Sequence, residues 1–223
     1  MASAAATADA DLTLDEMRLA LAPLVADAAA FDGWGDAAVE AAAAQRGIAP
    51  AAARLAFPGG AMDMIAAWIE SVDARMASGF SAEVLGSMPV RERIRALVLF
   101  RLECAQGREE ALRRALAIMA MPQNAPRALR LGWASADAMW RLAGDTAADY
   151  NHYSKRAILA GIYAATLAVF VDDASEDKAE TRRFLDRRID GVMRFEKAKG
   201  RLLRERDGFS VTRFLGRLRY PAR

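Results

Sequence analysis

His152 and Cys104 are the natural candidates for acid–base or nucleophilic chemistry in this chain. His152 is the only histidine, so a Ser-His-Asp or Cys-His arrangement would have to be assembled around it. The sequence has no Gly-x-Ser-x-Gly elbow, phosphate-binding loop, dinucleotide-binding glycine pattern or Glu-x-x-His pair. We therefore predict a protein that is not an enzyme and holds neither metal nor cofactor, with His152 at a surface or an interface.

Cys104 is the single cysteine, which excludes a disulfide within the chain. It lies among Leu99, Phe100 and Leu102 in a segment with helical periodicity. Free cysteines in such surroundings are usually buried. We predict a structural thiol rather than a nucleophile.

The C-terminal segment has the composition of a binding element. Seven arginines against two acidic residues give residues 201–223 a net charge of +5, in a chain whose total is +2. On a helix its apolar residues share one face that arginines flank; these are Val211, Phe214, Leu215, Leu218, Arg213 and Arg217. Basic amphipathic helices lie in bilayer interfaces, where each Lys or Arg contributes about 1 kcal/mol. We predict a membrane-binding tail; alternatively, this face packs on the body or on a second subunit.

Residues 31–61 are typical of a helix-turn-helix head that has lost its DNA-binding chemistry. A helix from Ala37 to about Gln45 is expected to stop at Gly47, and Pro50 suits the first turn of the next helix. In a DNA-binding helix-turn-helix protein, the second helix presents polar or basic residues to the edges of the bases. Here residues 51–57 contain one cation, Arg54. A transcription regulator is therefore the alternative function, and this helix argues against it.

The remaining patterns predict an all-α protein. A capping box at Thr13 and Glu16 starts a first helix at 14–30. Further helices are predicted from Ala61 and over 90–105, 108–120, 124–143 and 178–203, with a connection at 79–89. The uncharged run 157–171 is too short to cross a bilayer and is predicted to be the central buried helix. We divide the chain into a disordered lead-in at 1–12, a head at 13–80, a bundle at 81–203 and the basic tail at 204–223.

Aromatic and methionine residues flank a predicted turn near residue 145, with charged residues beside them. This is the composition of a protein–protein hot spot. The residues are Asp137, Met139, Trp140, Asp149, Tyr153 and Arg156. Core packing around the turn explains the same pattern equally well.

Three segments together resemble the ubiquinone-biosynthesis accessory family usually called Coq-nine. They are Trp34-Gly35-Asp36-Ala37-Ala38 with Phe57-Pro58-Gly59-Gly60-Ala61; Ala143-Gly144-Asp145 to Arg156-Ala157; and Phe184-Leu185-Asp186-Arg187-Arg188-Ile189. The likeness covers about residues 15–200. It implies a TetR-like helical bundle with a vestigial helix-turn-helix head, a C-terminal amphipathic helix and a homodimer.

The same resemblance implies a non-catalytic function. The family holds an isoprenoid lipid in an apolar pocket and presents a quinone precursor to the di-iron demethoxyubiquinone hydroxylase at a membrane. The six hot-spot residues carry over as the partner-binding surface. His152 stands where many members have Trp, and because an imidazole buries less apolar area than an indole, it puts the strength of this contact in question.

A lipid-binding function fits the composition, because a bundle rich in Ala, Leu, Met and Ile can enclose an apolar cavity. We expect five residues near it, for each of which plain core packing is the alternative: Leu97, Phe100, Leu159, Ile162 and Tyr163. The absence of a mitochondrial-type leader favours a bacterial member at the cytoplasmic face of the inner membrane. An enzyme acting on the lipid is a further alternative, which rests on His152 and scattered carboxylates.

Overall fold

The computed structural model describes residues 12–146 and 150–208. In this part of the chain the secondary structure consists of ten α-helices and a 3₁₀ turn, Glu176–Lys178, which confirms the all-α prediction. The helices are α1 Leu14–Asp32, α2 Asp36–Arg46, α3 Pro50–Leu55, α4 Ala61–Gly79, α5 Ala82–Gly86, α6 Val90–Ala105, α7 Glu109–Met119, α8 Ala125–Leu142, α9 Tyr150–Phe170 and α10 Ala179–Gly208. Among the described residues, no helix is long and apolar enough to span a bilayer.

Helix α1 begins where the capping box predicts. The Thr13 hydroxyl accepts a hydrogen bond from the Glu16 N–H, and the Glu16 carboxylate accepts one from the Thr13 N–H. The buried face of α1 includes Met17, Leu21 and Val25 and packs against α2 and α4. Helix α1 also contacts α7 and therefore joins the head to the bundle.

The head has the predicted helix-turn-helix geometry. Helix α2 ends at Gly47, which has φ +68° in the left-handed region, and Pro50 is the first residue of α3. The indole N–H of Trp34 donates to the Ala111 carbonyl at 2.9 Å, and its ring lies 5.6 Å from the ring of Trp68. These contacts attach the loop between α1 and α2 to α4 and α7.

The Phe-Pro-Gly-Gly-Ala turn has a structural explanation. A Cβ on Gly59 would lie 2.6 Å from the Asp63 carboxylate, and Gly60 adopts φ +63°. Asp63 accepts the Gly59 N–H and forms an ion pair with Arg127 of α8. Burial alone would raise the pKa of Asp63, but Arg127 and the Gly59 N–H lower it below its usual value. This turn fixes α4 against α8.

Two sequence predictions about the bundle were wrong. The connection 79–89 contains helix α5, because the Ser81 hydroxyl caps its first turn by accepting from the Val84 N–H. The run 157–171 is not a central buried helix. Leu159, Thr166 and Phe170 are buried, but a face of small residues is exposed, comprising Ala157, Gly161, Ala164 and Ala168. The run lacks charge because it borders a cavity and a surface of small residues, not because it is enclosed.

The connection from α9 to α10 is organised by one buried carboxylate. Asp173 accepts hydrogen bonds from the backbone N–H and the hydroxyl of both Ser175 and Thr181. Burial alone would raise the pKa of Asp173, but these hydrogen bonds lower it far below its usual range. The charged carboxylate thus fixes the angle at which α10 returns along the bundle.

Candidate lipid-binding site

The main cavity lies between α4, α6, α7, α8 and α9 and has a volume of about 610 Å³. This is within the usual range of 300–1,000 Å³ for pockets that bind small molecules. Most of the lining is aliphatic, aromatic or glycine, and includes Ile65, Trp68, Val72, Leu112, Ala115, Met119, Leu129, Gly132, Trp133 and Leu167. An apolar molecule of that size would be sheltered here from water.

The cavity has a closed inner side and an open outer side. On the inner side Ile65, Ala115 and Arg101 are almost fully buried. On the outer side Gly161 is exposed, and Leu129 has 75% of its surface exposed. The mouth therefore lies between α8 and α9.

One charged side chain, Arg101, belongs to the inner wall. Its guanidinium forms an ion pair with Asp73 and donates a hydrogen bond to the Ser135 hydroxyl at 2.9 Å. The guanidinium carbon lies 5.0 Å from the centre of the Tyr163 ring. This polar group distinguishes the wall from an ordinary hydrophobic core.

Arg101 remains charged in this setting. Burial alone would lower its pKa, but Tyr163 and Asp73 together raise it above the usual value. Burial raises the pKa of Asp73, and the Coulombic attraction to Arg101 offsets only part of that effect. Because a guanidinium does not lose its proton in proteins, the wall keeps a permanent set of hydrogen-bond donors.

The five residues expected near the lipid are divided among three places. Tyr163 lines the main cavity, whereas Leu159 and Ile162 line a second cavity of about 230 Å³ between α6, α9 and α10. Leu97 is fully buried in the core, and Phe100 packs edge-on against Phe80. Neither lines a cavity described here. A lipid-binding role for these five residues stays a prediction, which the geometry of the main cavity favours for Tyr163.

Sequence reasoning missed most of the cavity wall. Ile65, Trp68, Ile69 and Val72 recur at helical spacing along α4, and all four residues line the main cavity. A stripe at helical spacing indicates which face is inward, but not whether the neighbouring helices fill the space. Nothing in the sequence indicates that Arg101 is buried beside a cavity, because an arginine within a charged helix usually lies on the surface.

Two of the six proposed partner residues lie inside the protein. Met139 is fully buried, and Arg156 is only 2% exposed. Arg156 forms ion pairs with Asp137 at 2.5 Å and with Asp145 at 3.0 Å. Burial alone would raise the pKa of Asp145, but Lys155 and Arg156 lower it below its usual value. Met139 and Arg156 thus hold α8 and α9 together and are not available for direct contact with a partner.

Other members of the proposed partner surface are accessible. Tyr153 is 62% exposed, and its ring stands edge-on to His152 at 5.1 Å. Trp140 is half-buried and donates its indole N–H to the Lys155 carbonyl at 3.0 Å. Asp149 and the predicted membrane-binding residues lie outside the described residues; those of the tail are Val211, Phe214, Leu215, Leu218, Arg213 and Arg217.

Two residues singled out in the sequence, Arg54 and Cys104, have a structural partner and buried surroundings, respectively. Arg54, the single cation of residues 51–57, forms an ion pair with Glu40. Cys104 is buried as predicted, and burial raises the pKa of its thiol above the usual value. Within residues 12–146 and 150–208, no three His, Cys, Asp or Glu side chains form a group that could hold a metal ion.

Comparisons with known proteins identify relatives of this chain. The family model described as COQ9 matches residues 125–196. The chain is 36% identical over 168 residues to the mitochondrial ubiquinone biosynthesis protein COQ9 of Rattus norvegicus, covering 72% of this chain and 54% of the relative. For the COQ9 protein of Homo sapiens the identity is 33%, with 72% of this chain and 52% of the relative covered. The chain thus spans about half the length of these relatives.

A solved structure shows the fold. The TetR transcriptional regulator of Nitrosomonas europaea superposes with a TM-score of 0.63 at 21% sequence identity, covering 78% of this chain and 96% of the regulator. The predicted resemblance and the TetR-like, all-α fold are confirmed.

Proposed function

We propose, from the similarity of this chain to the COQ9 ubiquinone-biosynthesis proteins, that it acts in ubiquinone biosynthesis without catalysing a reaction. It binds a polyprenylated quinone precursor and presents it to a di-iron demethoxyubiquinone hydroxylase. The observation that carries this proposal is the apolar cavity of about 610 Å³, which opens between α8 and α9.

The cavity suits a lipid for energetic reasons. Moving one CH₂ group from water into an apolar site gains about 0.8 kcal/mol, so a polyprenyl chain has a strong preference for such a site. An engineered cavity lined by Leu, Ile and Phe stays dry and takes up apolar ligands. The walls around Trp68, Leu112 and Leu167 provide that environment.

The hydroxylase would dock on the accessible part of the predicted partner surface. The rings of His152 and Tyr153 lie 5.1 Å apart at the start of α9. Trp140 of α8 donates to the Lys155 carbonyl and lines the second cavity. Trp and Tyr are enriched at interface hot spots. His152 contributes to this surface as a contact residue and not as a catalyst.

The composition of the basic tail supports a peripheral association with a membrane. Its apolar face and arginines match an interfacial helix. Location at the cytoplasmic face of a bacterial inner membrane stays a prediction.

We also infer a homodimer through the exposed face of α9 and the neighbouring part of α8. Leu129 is exposed there, beside the small residues Ala157, Gly161 and Ala164. An apolar face of this kind at a surface is typical of a protein–protein contact. A second copy on this face would also help to cover lipid at the mouth.

Gly161→Glu is expected to convert the dimer into a monomer. A Cβ at Gly161 meets nothing within 4 Å, so the substitution fits the free chain but places a charge in the contact. Gly191→Glu is the matched control, because its Cβ is equally free and lies on α10. Light scattering after gel filtration measures the mass. A wild-type monomer, or a Gly161→Glu dimer, would contradict this interface.

The proposed lipid function predicts that the protein removes a quinone from membranes. Vesicles of phosphatidylcholine carrying decylubiquinone are incubated with the full chain and pelleted. The supernatant should then contain about one quinone molecule per protein cavity. The phospholipid content of the supernatant measures how many vesicles were carried over, and it should be low. Quinone that remains entirely in the pellet, or equal extraction of phospholipid, would contradict the proposal.

A further inference from the structure

The wall of the main cavity contacts the proposed partner surface through a pair of aromatic rings. Trp133 of α8 lines the cavity. Its ring centre lies 6.1 Å from the ring centre of Tyr153 on α9, and the two ring planes are tilted by 33°. Tyr153 does not line the cavity and is largely exposed. The pair therefore connects the inside of the cavity with a residue that a partner can reach.

These two rings stand at the end of the mouth that lies nearer the partner surface. Tyr153 precedes Ala157 by four residues and Gly161 by eight, so the three residues share one face of α9. Ala157 and Gly161 are exposed and line the cavity at its mouth. Tyr153 thus lies one helical turn beyond the mouth, about 6 Å along the axis of α9. A lipid that left the cavity toward the hydroxylase would pass Trp133 and Tyr153.

The outer ring of the pair can move. Tyr153 has 62% of its surface exposed, and its ring meets His152 edge-on at 5.1 Å. Exposed side chains change rotamer within nanoseconds, and two rings in contact attract each other only weakly. Trp133 is half-buried. If Tyr153 turned away, the indole of Trp133 would lose this contact and could swing outward from the cavity wall.

On the basis of the proposed function, we propose that Trp133 and Tyr153 form a gate that sets the rate at which lipid leaves the main cavity. In the free protein the two rings pack together and close the end of the mouth. When the hydroxylase packs on Tyr153, that ring turns away from Trp133, and the mouth widens on the side of the partner. Lipid is then released where the hydroxylase is bound.

The gate predicts that an exposed residue outside the cavity controls lipid release. The full chain is loaded with decylubiquinone and mixed with excess phosphatidylcholine vesicles that contain a pyrene-labelled lipid, whose fluorescence the arriving quinone quenches. We expect Tyr153→Ala to raise the release rate constant about two- to tenfold, which corresponds to the loss of one contact between rings. Tyr153→Phe keeps the ring and should release quinone at the wild-type rate.

The equilibrium affinity distinguishes a gate from a general loosening of the bundle. Displacement of the neutral fluorophore N-phenyl-1-naphthylamine measures the affinity for decylubiquinone. Because Tyr153 does not line the cavity, Tyr153→Ala should bind quinone with the wild-type affinity, while both uptake and release become faster. Phe31→Ala is the matched control, since it removes an exposed ring of α1 that lines neither cavity. It should change neither the rate nor the affinity.

A double-mutant cycle tests whether the two rings act together. Trp133→Leu should also speed release, and Tyr153→Ala added to it should have no further effect, because the contact between the rings is already lost. Addition of the hydroxylase to the loaded wild-type chain should raise the release rate constant toward that of Tyr153→Ala.

Faster release from Tyr153→Ala at unchanged affinity, with no further effect in the double variant, supports the gate. An unchanged release rate, or additive effects of the two substitutions, overturns the gate and leaves the lipid-binding function intact. A hydroxylase that binds the chain without speeding release overturns opening by the partner. A wild-type chain that takes up no quinone refutes the proposed function and the gate together.

Discussion

Gly132→Phe is expected to reduce quinone binding at least about tenfold while leaving the fold intact. Gly132 lines the main cavity on α8, and a Cβ built there meets nothing within 4 Å. A side chain can therefore start at this position without a clash, and a phenyl group on it is expected to occupy space that lipid would fill. Each excluded CH₂ forfeits about 0.8 kcal/mol, so two or three are enough for a tenfold effect. Fluorescence displacement with decylubiquinone measures the affinity.

The matched control for this variant is Gly191→Phe. Gly191 has equal space around its Cβ but lies on α10 and lines neither cavity described above. Both variants should keep the wild-type circular dichroism signal and melting temperature. Unchanged quinone affinity in Gly132→Phe, or an equal loss in Gly191→Phe, would show that the ligand does not occupy this cavity.

Arg156→Met is expected to lower the free energy of unfolding by about 3–5 kcal/mol. The substitution leaves Asp137 and Asp145 without their shared buried partner, and a half-removed buried ion pair is strongly destabilising. Arg141→Met is the control, because Arg141 also pairs with Asp137 but has a side chain that is 74% exposed. That pair should contribute less than about 1 kcal/mol. Urea unfolding measures both values, and equal losses would contradict a structural role for Arg156.

Urea unfolding together with a measurement of hydroxylase binding distinguishes a structural residue from a residue that contacts the partner. Tyr153→Ala removes an exposed ring, so it should weaken binding to the hydroxylase without changing the urea midpoint. Arg156→Met should affect binding only under conditions in which the chain unfolds. If Arg156→Met instead weakened hydroxylase binding without changing the urea midpoint, Arg156 would belong to the contact surface.

Local signals in the sequence predict the helices well. Thr13 and Glu16 predict the start of α1, and Gly47 and Pro50 predict the turn between α2 and α3. Each of these features acts through contacts within a few residues along the chain. The low positive charge of the second helix in the head could also be predicted, because the sequence itself shows a single cation in residues 51–57.

Long-range features could not be predicted in this way. The cavity depends on the distances between five helices, and the sequence of any one helix does not determine those distances. Met139 and Arg156 were assigned to a contact surface because sequence does not show which side of α8 and α9 faces Asp145. Likewise, an uncharged run such as 157–171 predicts apolar surroundings, but a cavity rim and a surface of small residues satisfy that condition as well as a core does.

The central claim is that this chain carries a prenylated lipid in the main cavity, whose mouth lies between α8 and α9. Native mass spectrometry of the full chain, purified without detergent from cells that make ubiquinone, tests it most directly. We predict a bound species with the mass of a prenylated phenol or quinone, present in the wild type and in Gly191→Phe and absent from Gly132→Phe. A ligand-free spectrum after loading with decylubiquinone, or the same bound species in all three proteins, would contradict the account.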